Sequence, residues 1–113
     1  MKQGEIWFVH FIDSESVGHE YKKDRPVLII QSDNQLRISN IICVIPLSSS
    51  LDSKKEDDIL VEKDGQNMLY YNSLLKVHHI QSFDRERFIK RIGAVNEDVM
   101  NKVKKYLRKH FDL

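Results

Sequence analysis

The stretch Gly18–Ile30, GHEYKKDRPVLII, begins as a charged loop and becomes continuously apolar from Val27 onward. An unbroken run of this kind is the signature of a strand covered on both faces. Pro26 has no N–H for a ladder and is expected at the first position of that strand, with Arg25 at its mouth. A second such run follows at Asn40–Leu47, NIICVIPL, which Pro46 is expected to end. Upstream, GEIWFVHFI (Gly4–Ile12) is aromatic and β-branched, again strand-like. SDNQLRIS reads as a turn cluster, SSSLDSKKEDD as a hydrophilic loop and ILVE as a short strand. Asp64-Gly65 carries a hairpin-turn signal, and MLYYNSLLKVHHI predicts one or two further strands. After QSFDRERF the period changes. Asn96, Glu97 and Asp98 suit a helix start, and Val99, Val103, Leu107 and Phe111 fall on one face with Met100. Lys104, Lys105, Arg108 and Lys109 load the far half with cations. The expected architecture is mainly β with a C-terminal helix, a small, strongly bent barrel in one unit over residues 1–113.

The bulk numbers set the class. The chain has 113 residues, with 41% hydrophobic and 31% charged, the balance of an ordinary globular protein. A net charge of +1 supplies no global basic field, so any phosphate binding must come from a local cluster. Cys43 is the single cysteine, which precludes an intrachain disulfide, and within IICVIPL it reads as a small buried hydrophobe. Together with the absence of a secretory h-region or a long apolar span, this predicts a cytoplasmic protein without membrane attachment.

No P-loop, GxGxxG, CxxC or HExxH is present. His78 and His79 are adjacent, and on a strand they would point to opposite faces. Neither a metal nor another cofactor is therefore expected. What remains is polar groups at strand ends. Arg25 offers a bidentate fork and Ser48 an adaptable hydroxyl, a pair suited to phosphate. Lys22, Lys23, Lys54 and Lys55 flank them in sequence. The same residues also fit a plain surface, with Arg25 paired to Glu20 and the serines idle in a loop. Spacing alone leaves both readings open.

GEIWFVHF, GHEYKKDRPVLII, VIPLSSS and the tail HHIQSFDRERFIKRIGAVNEDVMNKVKKYL fall in the order and spacing of the MazF/PemK toxins. The resemblance runs from Gly4 nearly to the C-terminus. It implies an SH3-like barrel, of the type also found in CcdB, and a homodimer. It further implies metal-independent cleavage of single-stranded RNA at short motifs, and an antitoxin encoded nearby. By the same resemblance, Arg25 and Ser48 are the catalytic pair, with serine where threonine is frequent. Glu20 matches a family glutamate, a general base or an orienting partner for Arg25, and His19 is a second candidate for proton transfer. RNA contacts are expected from Lys22, Lys23, Ser49, Lys54, His79 and Gln81. Gln81 stands where relatives often carry an RNA-holding arginine, and His10 where they often carry aspartate.

Two rivals come from other classes. A CcdB-like topoisomerase poison would act through its terminal helix and would not need the Arg-Pro and Pro-x-Ser pair. A catalytically silent RNA-binding barrel would accommodate Gln81 and the histidine substitutions.

Overall fold

The computed structural model describes residues 1–12 and 22–113; the side chains of Ile12, Lys22 and Lys23 also lie outside the described set. The described residues form seven strands and two α-helices: β1 (Glu5–Ile12), β2 (Lys22–Ile29), α1 (Asp33–Leu36), β3 (Ile41–Ser48), β4 (Ile59–Val61), β5 (Ser73–Leu75), β6 (Gln81–Asp84), β7 (Phe88–Ala94) and α2 (Glu97–Phe111). Pairing is antiparallel in the order β4-β5-β3-β2-β1-β7, and β6 also pairs with β3. The mainly β fold with a C-terminal helix is as expected. The sheet is bent but not closed by a ladder. Its two ends meet instead through residues 62–72, where Ala94 N donates to Gln66 O at 3.1 Å and Gln66 Nε2 donates to Val95 O at 3.3 Å. Gly93 permits that approach, because a Cβ there would stand 2.4 Å from Asn67 O.

The central strands read as unbroken apolar runs because each serves two cores. Leu28, Ile45 and Leu47 join Ile6, Leu75, Val77 and the helix residues Val99, Val103 and Tyr106 in one cluster. Val27, Ile29, Ile42 and Val44 face the other way, with Val9, Leu36 and Phe83. Strand alternation distributes successive side chains between the two.

Both proline readings need correction. β2 begins at Lys22, so Pro26 is inside it, opposite Phe8 of β1. Registered pairing of β2 with β3 covers only Val27–Ile29, so Pro26 stands just outside that ladder. β3 likewise runs two residues past Pro46, to Ser48. Pro46 falls between the stretches of β3 that pair with β6 and with β5, and its carbonyl accepts from Lys76 N at 3.0 Å. A missing N–H interrupts neither ladder there.

Three smaller expectations also change. SDNQLRIS contains the short helix α1, capped by Ser32. Asp64-Gly65 does not make a two-residue hairpin; Asp64 Oδ1 accepts from Gln66 N and Asn67 N, opening the longer 62–72 connection. MLYYNSLLKVHHI holds one strand, Ser73–Leu75, within the one or two expected. Cys43 is half-buried rather than fully enclosed, and burial pushes its thiol pKa up.

The terminal helix starts at Asn96, whose side chain accepts from Val99 N at 2.9 Å. Val99, Val103 and Tyr106 are its buried residues, while Phe111 is 55% exposed. The core stripe therefore takes Tyr106 rather than Phe111. Its hydroxyl lies 3.1 Å from His78 Nδ1 and 3.2 Å from His110 Nδ1, tying the helix to the turn after β5. No helix among the described residues is long and apolar enough to cross a membrane.

Candidate active site

Arg25 of β2 and Ser48 of β3 each lie two residues beyond the last registered pair of those strands, Val27↔Pro46. The two residues sit where those strands part, so neither is enclosed by a further strand pairing between them. Both line one cleft of about 490 Å³, and Ser49 lines it too. Phe8, Pro26, Leu47 and Ile92 give it an apolar floor. Met68, Leu69, Tyr70 and Tyr71, from the 62–72 connection, form its other wall.

Arg25 is exposed, and its guanidinium carbon lies 5.2 Å from the centroid of the Phe11 ring. A cation over an aromatic face is held in place without losing its hydrogen-bonding edge. Ser48 is half-buried, and its Oγ accepts from Ser50 N at 3.2 Å. That bond uses an acceptor site and leaves the hydroxyl proton available to donate. Asp24, also in the lining, is engaged by His10, whose Nδ1 lies 3.1 Å from Asp24 Oδ1 across the β1–β2 ladder.

The sequence-predicted set divides. Arg25, Ser48 and Ser49 come together in the cleft. Lys54 does not line it; the residue is exposed at the end of the turn Leu51–Ser53. His79 is exposed after the turn that follows β5, its N–H bound to Lys76 O. Gln81 opens β6 opposite Val44, four residues along β3 from Ser48 and so about 13 Å away at ordinary strand rise. His19 and Glu20, and the side chains of Lys22 and Lys23, lie outside the described residues. Tyr70 and Tyr71, for which no role is assigned from the sequence, precede β5, and both are exposed, by 82% and 69%. The available signal was two adjacent aromatics in polar surroundings just before a strand.

Outside the cleft, Asp58 and Lys76 form a buried pair, Nζ to Oδ2 2.5 Å. Lys76 Nζ also donates to Ser53 O at 2.9 Å, and Lys55 N donates to Asp58 Oδ2 at 2.8 Å. Burial disfavours the Asp58 carboxylate, but the hydrogen bonds from Lys76 and Lys55 and the charges of Lys76 and His78 outweigh it. The net pKa is lowered. The pair braces the loop before β4. Among the described residues, no group of three His, Cys, Asp or Glu side chains is placed to hold a metal ion.

Fold and cleft together define a class: a small, mainly β protein with one terminal helix and an open cleft lined by an arginine and serine hydroxyls, groups that can hydrogen-bond an anion. The family follows from comparison with known proteins. The chain belongs to the PemK-like, MazF-like toxins of type II toxin-antitoxin systems, whose family model matches residues 2–111. It is 29% identical to endoribonuclease PemK of Escherichia coli over 104 residues, which are 91% of this chain and 76% of that protein. It is 28% identical to endoribonuclease EndoA of Bacillus subtilis over 109 residues, 96% and 91% of the two chains. Among solved structures, the MazE-MazF complex of Deinococcus radiodurans contains a chain that superposes with a TM-score of 0.77 at 18% identity, covering 100% of this chain and 96% of that one. Mycobacterium tuberculosis toxin MazF-mt6 gives 0.75 at 17% identity, covering 96% and 97%. These structural likenesses establish the fold.

Proposed function

We propose that the protein is a toxin endoribonuclease that cleaves single-stranded RNA at short sequence motifs, with the RNA's own 2′-OH as nucleophile and without a metal ion. The observation that carries this reading is that Arg25 and Ser48 line one open cleft just beyond the end of the β2–β3 ladder. The 2′-oxygen bonds to the adjacent phosphorus as the bond from phosphorus to the 5′-oxygen breaks. The 2′-OH proton passes to a base and a proton reaches the leaving 5′-oxygen, giving 2′,3′-cyclic phosphate and 5′-OH ends. Arg25 stabilises the extra charge of the phosphorane, for which its fixed charge and planar fork are suited. It holds its proton too firmly to act as the acid. Ser48 donates to a non-bridging phosphate oxygen. Glu20 and His19 are assigned to proton transfer on the family resemblance.

Its relatives are named as endoribonucleases, and one solved neighbour is described as an endoribonuclease in complex with its cognate antitoxin. By extension, an antitoxin is the regulatory partner, the working form is a homodimer and the setting is the cytoplasm, where single-stranded mRNA is available.

The test incubates antitoxin-free protein with a long unstructured RNA in EDTA and maps the new ends. Discrete cuts with 5′-OH ends are expected. Arg25→Ala should cost about 100- to 1,000-fold in rate, the usual effect of removing one transition-state donor, and Ser48→Ala a smaller factor. Intact RNA with folded wild-type protein would overturn the nuclease reading and turn the search to a protein target of α2.

A further inference from the structure

The wall of the cleft facing Arg25 and Ser48 carries two large aromatics that the proposed chemistry does not use. Tyr70 and Tyr71 are 82% and 69% exposed, yet the backbone that bears them is pinned on both sides. Before them, Asn67 is 1% exposed; its Oδ1 accepts from Asp64 N and Leu69 N, and its Nδ2 donates to Glu62 O. Leu69 packs against the larger core cluster. After them, Ser73 Oγ donates to Tyr71 O at 2.9 Å and Lys63 N donates to Asn72 Oδ1 at 2.9 Å. Gly93 lets Gln66 and Asn67 of the segment lie directly on β7. Fixed backbone under exposed rings is pre-organisation: a tyrosine loses only two side-chain rotations when a flat ligand stacks on it.

Position supports a role in the same cleft. Ser48 pairs with Leu74, and Tyr71 lies three residues before Leu74, about 10 Å along an extended chain. A nucleotide next to the phosphate at Ser48 is within reach of the rings. We propose that Tyr70 and Tyr71 form a stacking platform for unpaired nucleobases flanking that phosphate. They hold single-stranded RNA in the cleft and reject duplex, whose bases are already stacked. The inference rests on the nuclease reading for its substrate but not for its test.

The test uses a 12-nucleotide 2′-O-methyl RNA pool of random sequence, which cannot be cut, with binding read by fluorescence anisotropy. Wild type is compared with Tyr70→Ala, Tyr71→Ala and the Phe and Leu variants at each position. Each Ala change should weaken binding about 5- to 150-fold, the range for losing one stacked base. Phe should restore it and Leu should not. With cleavable RNA, KM should rise while kcat holds, and molecular mass by light scattering should not change. Ala variants that bind like wild type would overturn the proposal. So would Leu rescuing as well as Phe, or loss of binding that tracks a change in mass and so marks a subunit contact. Should wild type bind the pool yet cut no RNA, the nuclease reading fails while the binding series still decides the platform. Should wild type not bind the pool, the platform fails as well.

Discussion

Asp58 is the residue on which acid stability turns. Its side chain is nearly sealed from solvent and one carboxylate oxygen, Oδ1, finds no hydrogen-bond partner among the described residues. Lys76 is therefore essential to it. Lys76→Met would strand a buried charge and should cost about 3–5 kcal/mol in urea unfolding, whereas adding Asp58→Asn should recover most of the loss. Because the folded pKa of Asp58 is lowered, the pair contributes fully above the unfolded carboxylate value of about 3.9. That contribution is lost as pH falls from there through the depressed folded value. An acid-unfolding curve of Asp58→Asn should be flatter in that window. Parallel curves for the variant and wild type would count against the assignment. In the sequence, Asp58 ends a polar run and Lys76 is a lone charge in an apolar one; only the loop's return to β5 pairs them.

Among the elements, the 62–72 connection matters most, because it bridges the ends of the sheet and walls the cleft. Gly93 is its seat. In Gly93→Ala the new Cβ would meet Asn67 O at 2.4 Å and Gln66 O at 2.6 Å, both backbone atoms that cannot swing aside. Overpacking of this kind costs about 1–3 kcal/mol, and moving the segment displaces Tyr70 and Tyr71 from the cleft. The expected result is a lower urea midpoint together with weaker binding of the 2′-O-methyl RNA pool. A variant with wild-type midpoint and wild-type binding would show that the segment yields freely. The prolines teach a related lesson at this scale. Read alone, Pro26 and Pro46 mark strand ends; in the sheet both sit within strands, Pro26 where the β2–β3 ladder ends and Pro46 where β3 changes partner from β6 to β5.

At the scale of the molecule, 18 basic side chains nearly cancel 17 acidic ones. RNA affinity should then depend on salt only through the few phosphates that the cleft touches. On single strands each neutralised phosphate contributes a slope of about −0.7 in log affinity against log salt, so Arg25→Ala should flatten the wild-type slope by about that amount. A wild-type slope steeper than about −5 would reveal an extended basic track instead of a local cleft. The two cores, one on each face of β2 and β3, also belong to this scale. They explain why those strands are apolar throughout, and why polar chemistry is confined to the point where the strands part.

The sequence by itself determined which segments are buried strands, where the terminal helix begins and that Arg25 and Ser48 are polar groups adjoining two apolar runs. Hydrophobic period and capping are local properties, and β2 and β3 declared themselves by sheer apolar content. Only the tertiary structure decided what meets what. It brought Arg25 and Ser48 to one cleft beyond the end of the β2–β3 ladder, and Tyr70 and Tyr71 to the same cleft. It also left Lys54, His79 and Gln81 elsewhere. The physical reason is that register and sheet order are fixed by contacts distant in the chain. A residue's period tells which face it occupies, but not which neighbour waits there.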